Sequence, residues 1–97
     1  MRIIKFSINE NTYETFQNIC RLENITVKKK LNVLLSKDNP EGIDIKECFP
    51  EDANQNLRRI TLKVNEELYK GIMKNSDKFD IKPKSYIPYL IYNFLND

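Results

Sequence analysis

RRITLKV, residues 58–64, sets Ile60, Leu62 and Val64 alternately against Arg59, Thr61 and Lys63. Alternation with period two is the mark of a half-buried strand, because successive side chains of extended backbone point to opposite faces. Burial accounts for the apolar side. The other side carries two cations and a hydroxyl with no acidic residue among them, so it asks for a partner of its own. RIIKFSI, residues 2–8, repeats the pattern, with Ile4, Phe6 and Ile8 on one face and Ile3, Lys5 and Ser7 on the other.

The two stretches are corresponding parts of a longer repeat. Shifting the chain by 56 positions aligns its halves without a gap: Arg2 meets Arg58, Ile8-Asn9-Glu10 meets Val64-Asn65-Glu66, Tyr13 meets Tyr69, Asn24-Ile25 meets Asp80-Ile81, Lys28 meets Lys84, and Leu34-Leu35 meets Leu90-Ile91. Each half reads as strand, helix, turn, helix. Asn9 and Asn65 follow their strands directly, where an Asn side chain accepts from a free amide of the first helical turn. Apolar residues then recur at helical spacing, through Tyr13, Phe16 and Ile19/Cys20 in one half and Tyr69, Ile72/Met73 and Ser76/Phe79 in the other. Asn24 and Asp80 tolerate the left-handed conformation that ends a helix. Thr26 is the expected cap of the second helix, whose buried side is Leu31, Leu34 and Leu35. The corresponding last helix poses a choice, because Lys82 is a poor cap and Pro88 would interrupt a helix begun at Pro83. The reading preferred is a start near Tyr86 with Ser85 as cap. Tyr86, Tyr89, Tyr92 and Phe94 exceed what one buried stripe needs, and an exposed remainder would be either a protein contact or simply solvated.

Composition sets the frame around these elements. With 97 residues, 40% of them apolar, and only two Gly and four Pro, the chain is suited to one compact domain. Charge is unevenly spread: residues 1–38 hold 7 Lys/Arg against 4 Asp/Glu, residues 39–57 hold 1 against 5, and residues 58–97 hold 8 against 5. An acidic linker, 39–57, thus separates two basic repeats, 1–38 and 58–97. Its Ile43, Ile45, Cys48 and Phe49 suggest that part of it packs on the body. There is no His, and Cys20 and Cys48 lack metal-type or disulfide-framework spacing. Reduced, structural thiols and a cytoplasmic, membrane-free protein without cofactor, metal or evident small-molecule ligand are expected.

A single strand of this length is not stable alone, and two copies in one chain can pair with each other. The expected fold is therefore α+β and mainly helical, an intramolecular two-stranded antiparallel ribbon packed through its apolar face on four helices. Its outer face would present Ile3, Lys5, Ser7, Arg59, Thr61 and Lys63. A two-stranded ribbon fits the major groove of DNA, where Arg and Lys donate to guanine O6 and N7, hydroxyls are versatile, and an apolar group meets the thymine methyl.

This arrangement resembles the ribbon-helix-helix family of MetJ, Arc and CopG type, β-ribbon readers of double-stranded DNA. The likeness spans both repeats and omits only the linker. It implies that Ile3, Lys5, Ser7, Arg59, Thr61 and Lys63 contact bases. It also implies that the amino ends of the second helices hold phosphates, through Thr26, Lys28 and Lys29 in one repeat and Lys82, Lys84 and Ser85 in the other. The family uses one copy per chain; this chain looks like a covalent pseudo-dimer, a layout also seen in TraY-like proteins of conjugative plasmids. The function implied is sequence-specific DNA binding, as a transcriptional repressor or as an accessory factor in plasmid maintenance or transfer. Because the two strands carry different outward residues, an asymmetric subsite is expected, G-rich at one end, with chains associating side by side on DNA through the surplus aromatics. Catalysis is not expected, since general acid–base or nucleophilic chemistry needs a poised group with an orienting partner. The competing reading is a protein-interaction module, antitoxin-like or an assembly protein, that does not bind DNA.

Overall fold

The structure is a computed structural model and describes residues 2–37, 53 and 55–96; the linker residues Ile43, Ile45, Cys48 and Phe49 lie outside the described residues. The elements run β1 (Arg2–Asn9), α1 (Glu10–Leu22), α2 (Val27–Lys37), β2 (Leu57–Val64), α3 (Glu66–Lys78) and α4 (Pro83–Leu95). β1 and β2 form a two-stranded antiparallel sheet. Ile4, Phe6 and Ile8 from β1 and Ile60, Leu62 and Val64 from β2 are buried, and they pack with the helices into one core. The fold is therefore small, α+β and mainly helical.

Local chemistry explains where the helices begin and end. Asn9 Oδ1 accepts from the Thr12 amide at 3.1 Å, and Asn65 Oδ1 accepts from the Leu68 amide at 2.8 Å, so each strand passes into its helix through an Asn cap. α1 and α3 close alike. Asn24 and Asp80 take left-handed φ angles of 58° and 57°, and the following amides, Ile25 and Ile81, donate back to the carbonyls of Cys20 and Ser76. This paired closure satisfies carbonyls left over at a helix end. Thr26 Oγ1 accepts from the Lys29 amide at 3.1 Å and so caps α2. Gly71 lets α3 approach α2 closely, since a Cβ there would come within 2.7 Å of Leu35 Cδ2.

Two expectations about the last helix are corrected. α4 starts at Pro83, not near Tyr86: Lys82 occupies the cap position without a side-chain cap bond, and Ser85 is the third helical residue, its amide donating to the Lys82 carbonyl at 2.9 Å. Pro at the first helical position is favourable, because its φ is already set and its missing N–H would be unpaired there anyway. Pro88 then removes the bond to the Lys84 carbonyl, a loss of about 3 kcal/mol in an ordinary helix interior. Burial offsets it. Tyr86, Ile87, Tyr89 and Ile91 have no accessible surface, and each such side chain contributes about 1.5–3 kcal/mol on leaving water. The second correction concerns the aromatics. Tyr86, Tyr89 and Tyr92 are buried and Phe94 is partly buried, so no aromatic surplus faces outward from α4. α4 packs against β1, α1, α2 and α3 together, and its central stretch Tyr86 to Tyr92 is buried throughout.

Leu62→Pro removes both a ladder donor and a core side chain, and is expected to abolish cooperative thermal unfolding of the whole chain, followed by circular dichroism. Asn65→Ala should leave a folded protein that is less stable by about 1 kcal/mol in denaturant titration.

Candidate nucleic-acid interface

The register of the ribbon determines what its outer face displays. Ile3 pairs with Lys63, Lys5 with Thr61 and Ser7 with Arg59, and all six side chains are exposed. They form three rungs, each with one cation and one uncharged residue. No like charges stand directly opposite one another, an arrangement that would weaken the pairing. Lys5, Arg59 and Lys63 have no carboxylate partner among the described residues. A shallow depression on this face is lined by Lys5, Ser7, Arg59 and Thr61. Arg59 and Lys63 fall at opposite ends of the ribbon, so the cations of β2 are not gathered at one end.

The strand arginines that flank this face are held differently. Arg2 lies over the Tyr69 ring at 5.0 Å and its Nε donates to Glu66 Oε1 at 2.9 Å. Arg58 lies over the Tyr13 ring at 5.6 Å. Burial pushes the Tyr13 phenol up, with the Arg58 guanidinium pulling the other way and Cys20 adding slightly to the rise. Each arginine thus packs on the tyrosine of the opposite half, stiffening the ribbon ends while leaving the three central rungs free.

The helix starts form two further clusters. At α2, Thr26, Lys28 and Lys29 are exposed, and the first turn contains no acid. At α4, Lys82 and Lys84 are exposed and Ser85 is half-buried, again with no acid in the first turn. The other two helices differ, with Glu10 in the first turn of α1 and Glu66 and Glu67 in that of α3. Helix amino ends carry free N–H groups and partial positive charge, and among the described helices the α2 and α4 starts have no acidic residue in the first turn to offset it. Lys30 is unlike its neighbours: its Nζ lies 2.8 Å from Glu23 Oε2 and 4.4 Å from the Phe94 ring centre. The triplet Lys28 to Lys30 therefore divides into two outward cations and one structural one. Arg21, absent from the sequence-derived set, lines a groove with Asn24, Ile25, Thr26 and Lys29. Its position on the exposed side of the last turn of α1 was the available signal. No hydrogen bond or ion pair among the described residues links the ribbon rungs to either helix start.

Among the described residues, no group of His, Cys, Asp or Glu is arranged to hold a metal ion, and no helix is long and apolar enough to cross a membrane. Cys20 is buried and unpaired with another thiol. Burial pushes its thiol pKa up, countered by Lys30, while Glu23 adds to the rise. No protein-family model matches the chain, and no curated protein or solved structure is significantly similar to it.

A buried thiol with a raised pKa is a poor nucleophile. Peptide-resolved alkylation should find Cys20 protected in the folded protein and rapidly modified in denaturant; equal rates in both states would contradict its place in the core.

Proposed function

We propose that this chain is a sequence-specific double-stranded DNA-binding protein that sets its β-ribbon in the major groove. Within that reading it is a tandem ribbon-helix-helix protein, two repeats folded as a covalent pseudo-dimer, serving as a transcriptional repressor or as an accessory factor in plasmid maintenance or transfer. The observation that carries it is the outer ribbon face, where Lys5, Arg59 and Lys63 are exposed on successive rungs without carboxylate partners among the described residues. These three cations on successive rungs form one positive face, and the major groove supplies acceptors for all three. Ile3, 55% exposed beside Lys63, is suited to a thymine methyl. Thr61 and Ser7 add hydroxyls.

The tandem reading gains support from geometry that composition does not require. Lys5, at the centre of the ribbon, faces the residue 56 positions later, Thr61, as a two-fold-related pair must. The Asn caps, the left-handed Asn24 and Asp80, and the crossed Arg2–Tyr69 and Arg58–Tyr13 contacts keep the same spacing. Under this reading the exposed, acid-free starts of α2 and α4 are the phosphate-holding ends, with Thr26, Lys28 and Lys29 on one side and Lys82, Lys84 and Ser85 on the other.

Two sets of variants test the division of labour by fluorescence anisotropy. Arg59→Ala and Lys63→Ala should each weaken a selected duplex by about 1–3 kcal/mol and relax sequence preference. Lys28→Ala and Lys84→Ala should weaken all duplexes alike and lower the salt dependence by about one unit per lost phosphate contact. Equal effects from both sets would refute the assignment. Binding to heparin that is weak and insensitive to salt would favour the protein-interaction module instead.

A further inference from the structure

This inference rests on the DNA-binding reading and concerns the symmetry of the site. The ribbon has a pseudo-dyad between Lys5 and Thr61, because Ile3 faces Lys63 at one end and Ser7 faces Arg59 at the other. A half-turn about that point exchanges Lys5 with Thr61, Ile3 with Arg59, and Ser7 with Lys63. Every exchange trades a cation for an uncharged side chain. The register is thus two-fold symmetric about that point, while the same rotation puts each cation where an uncharged side chain stood and the reverse. Unlike strands alone would not guarantee this, since a different register could have set cation against cation.

A palindromic duplex presents the same acceptors after a half-turn, which is why two-fold symmetric proteins bind two-fold symmetric operators. Here a palindrome that satisfies Lys5, Arg59 and Lys63 places the same guanine-type acceptors opposite Thr61, Ile3 and Ser7. Ile3 can neither donate to them nor be hydrated against them, so it loses the most. We propose that the ribbon reads a subsite lacking two-fold symmetry and binds it in a single orientation, with Lys5, Arg59 and Lys63 setting the direction. Acceptors are required at both ends and the centre, opposite one strand or the other in alternation, and the thymine methyl is required only beside Ile3.

The test begins with selection of the wild-type chain on random duplexes, followed by binding at fixed salt to the selected motif and to two palindromes, one built from each half of it. The motif should be non-palindromic, and both palindromes should bind at least about tenfold more weakly, the loss expected for one good base contact. The variant Ile3→Arg, Lys5→Thr, Ser7→Lys gives β1 the same outward residues as β2 and leaves the core untouched; because it sets new cations opposite Lys63 and Arg59, its fold is first verified by circular dichroism, and the two wild-type palindrome arms decide the inference without it. It should enrich palindromic motifs. Enrichment of palindromes by the wild type, equal affinity for either constructed palindrome, or an unchanged motif in the triple variant would each overturn the inference while leaving DNA binding intact. Failure of the wild type to enrich any duplex would remove the DNA-binding reading and this inference with it.

Discussion

The pairing of β1 with β2, centred on Lys5 opposite Thr61, is the constraint on which the rest of the molecule depends. Neither strand has another sheet partner among the described residues, so the ladder between them is what keeps either extended. A slip of one residue would turn Ile60, Leu62 and Val64 out to solvent and bring Arg59, Thr61 and Lys63 into the core. The same register that closes the core therefore creates the outer face. The core face and the exposed cationic face are two sides of one set of hydrogen bonds, and crossed arginine–tyrosine contacts lie at the ribbon ends.

Beneath the ribbon, α4 fills the position that a two-stranded sheet cannot stabilise by itself. It packs on β1 and on α1, α2 and α3, and every residue from Tyr86 to Tyr92 is buried. That position explains two departures from local preference, a cap residue that cannot cap and a proline inside the helix. α2, by contrast, has good local signals, with the Thr26 cap and a clear apolar stripe, yet only Leu31 of it is fully buried. α2 and α4 are thus unequal. One is specified by its own sequence and one by its surroundings.

What could be read in advance follows the same division. Strand alternation, the Asn9, Asn65 and Thr26 caps and the left-handed Asn24 and Asp80 are set by a few neighbouring residues, and they were legible. The start of α4 at Pro83 departs from its local helix chemistry because packing overrides it. The aromatics of α4 looked surplus for the same reason, since one stripe was counted where four elements close around the helix. The six ribbon positions were identifiable from alternation, but their rung partners were not, because register joins residues far apart in the chain. Lys30 is set apart from Lys28 and Lys29 by its contacts with Glu23 and with Phe94, the latter in α4. Leu68, buried in α3, fell outside the stripe expected from Tyr69 and Ile72.

Amide chemical-shift mapping of the uniformly nitrogen-15-labelled chain, titrated with a selected duplex, tests most directly whether the outer ribbon face is the DNA-reading surface. Shifts are expected at Ile3 to Ser7 and Arg59 to Lys63, with a second set in the first turns of α2 and α4, while the buried centre of α4 stays unchanged. Shifts confined to the outward sides of α1 and α3, with the ribbon amides unmoved, would contradict it.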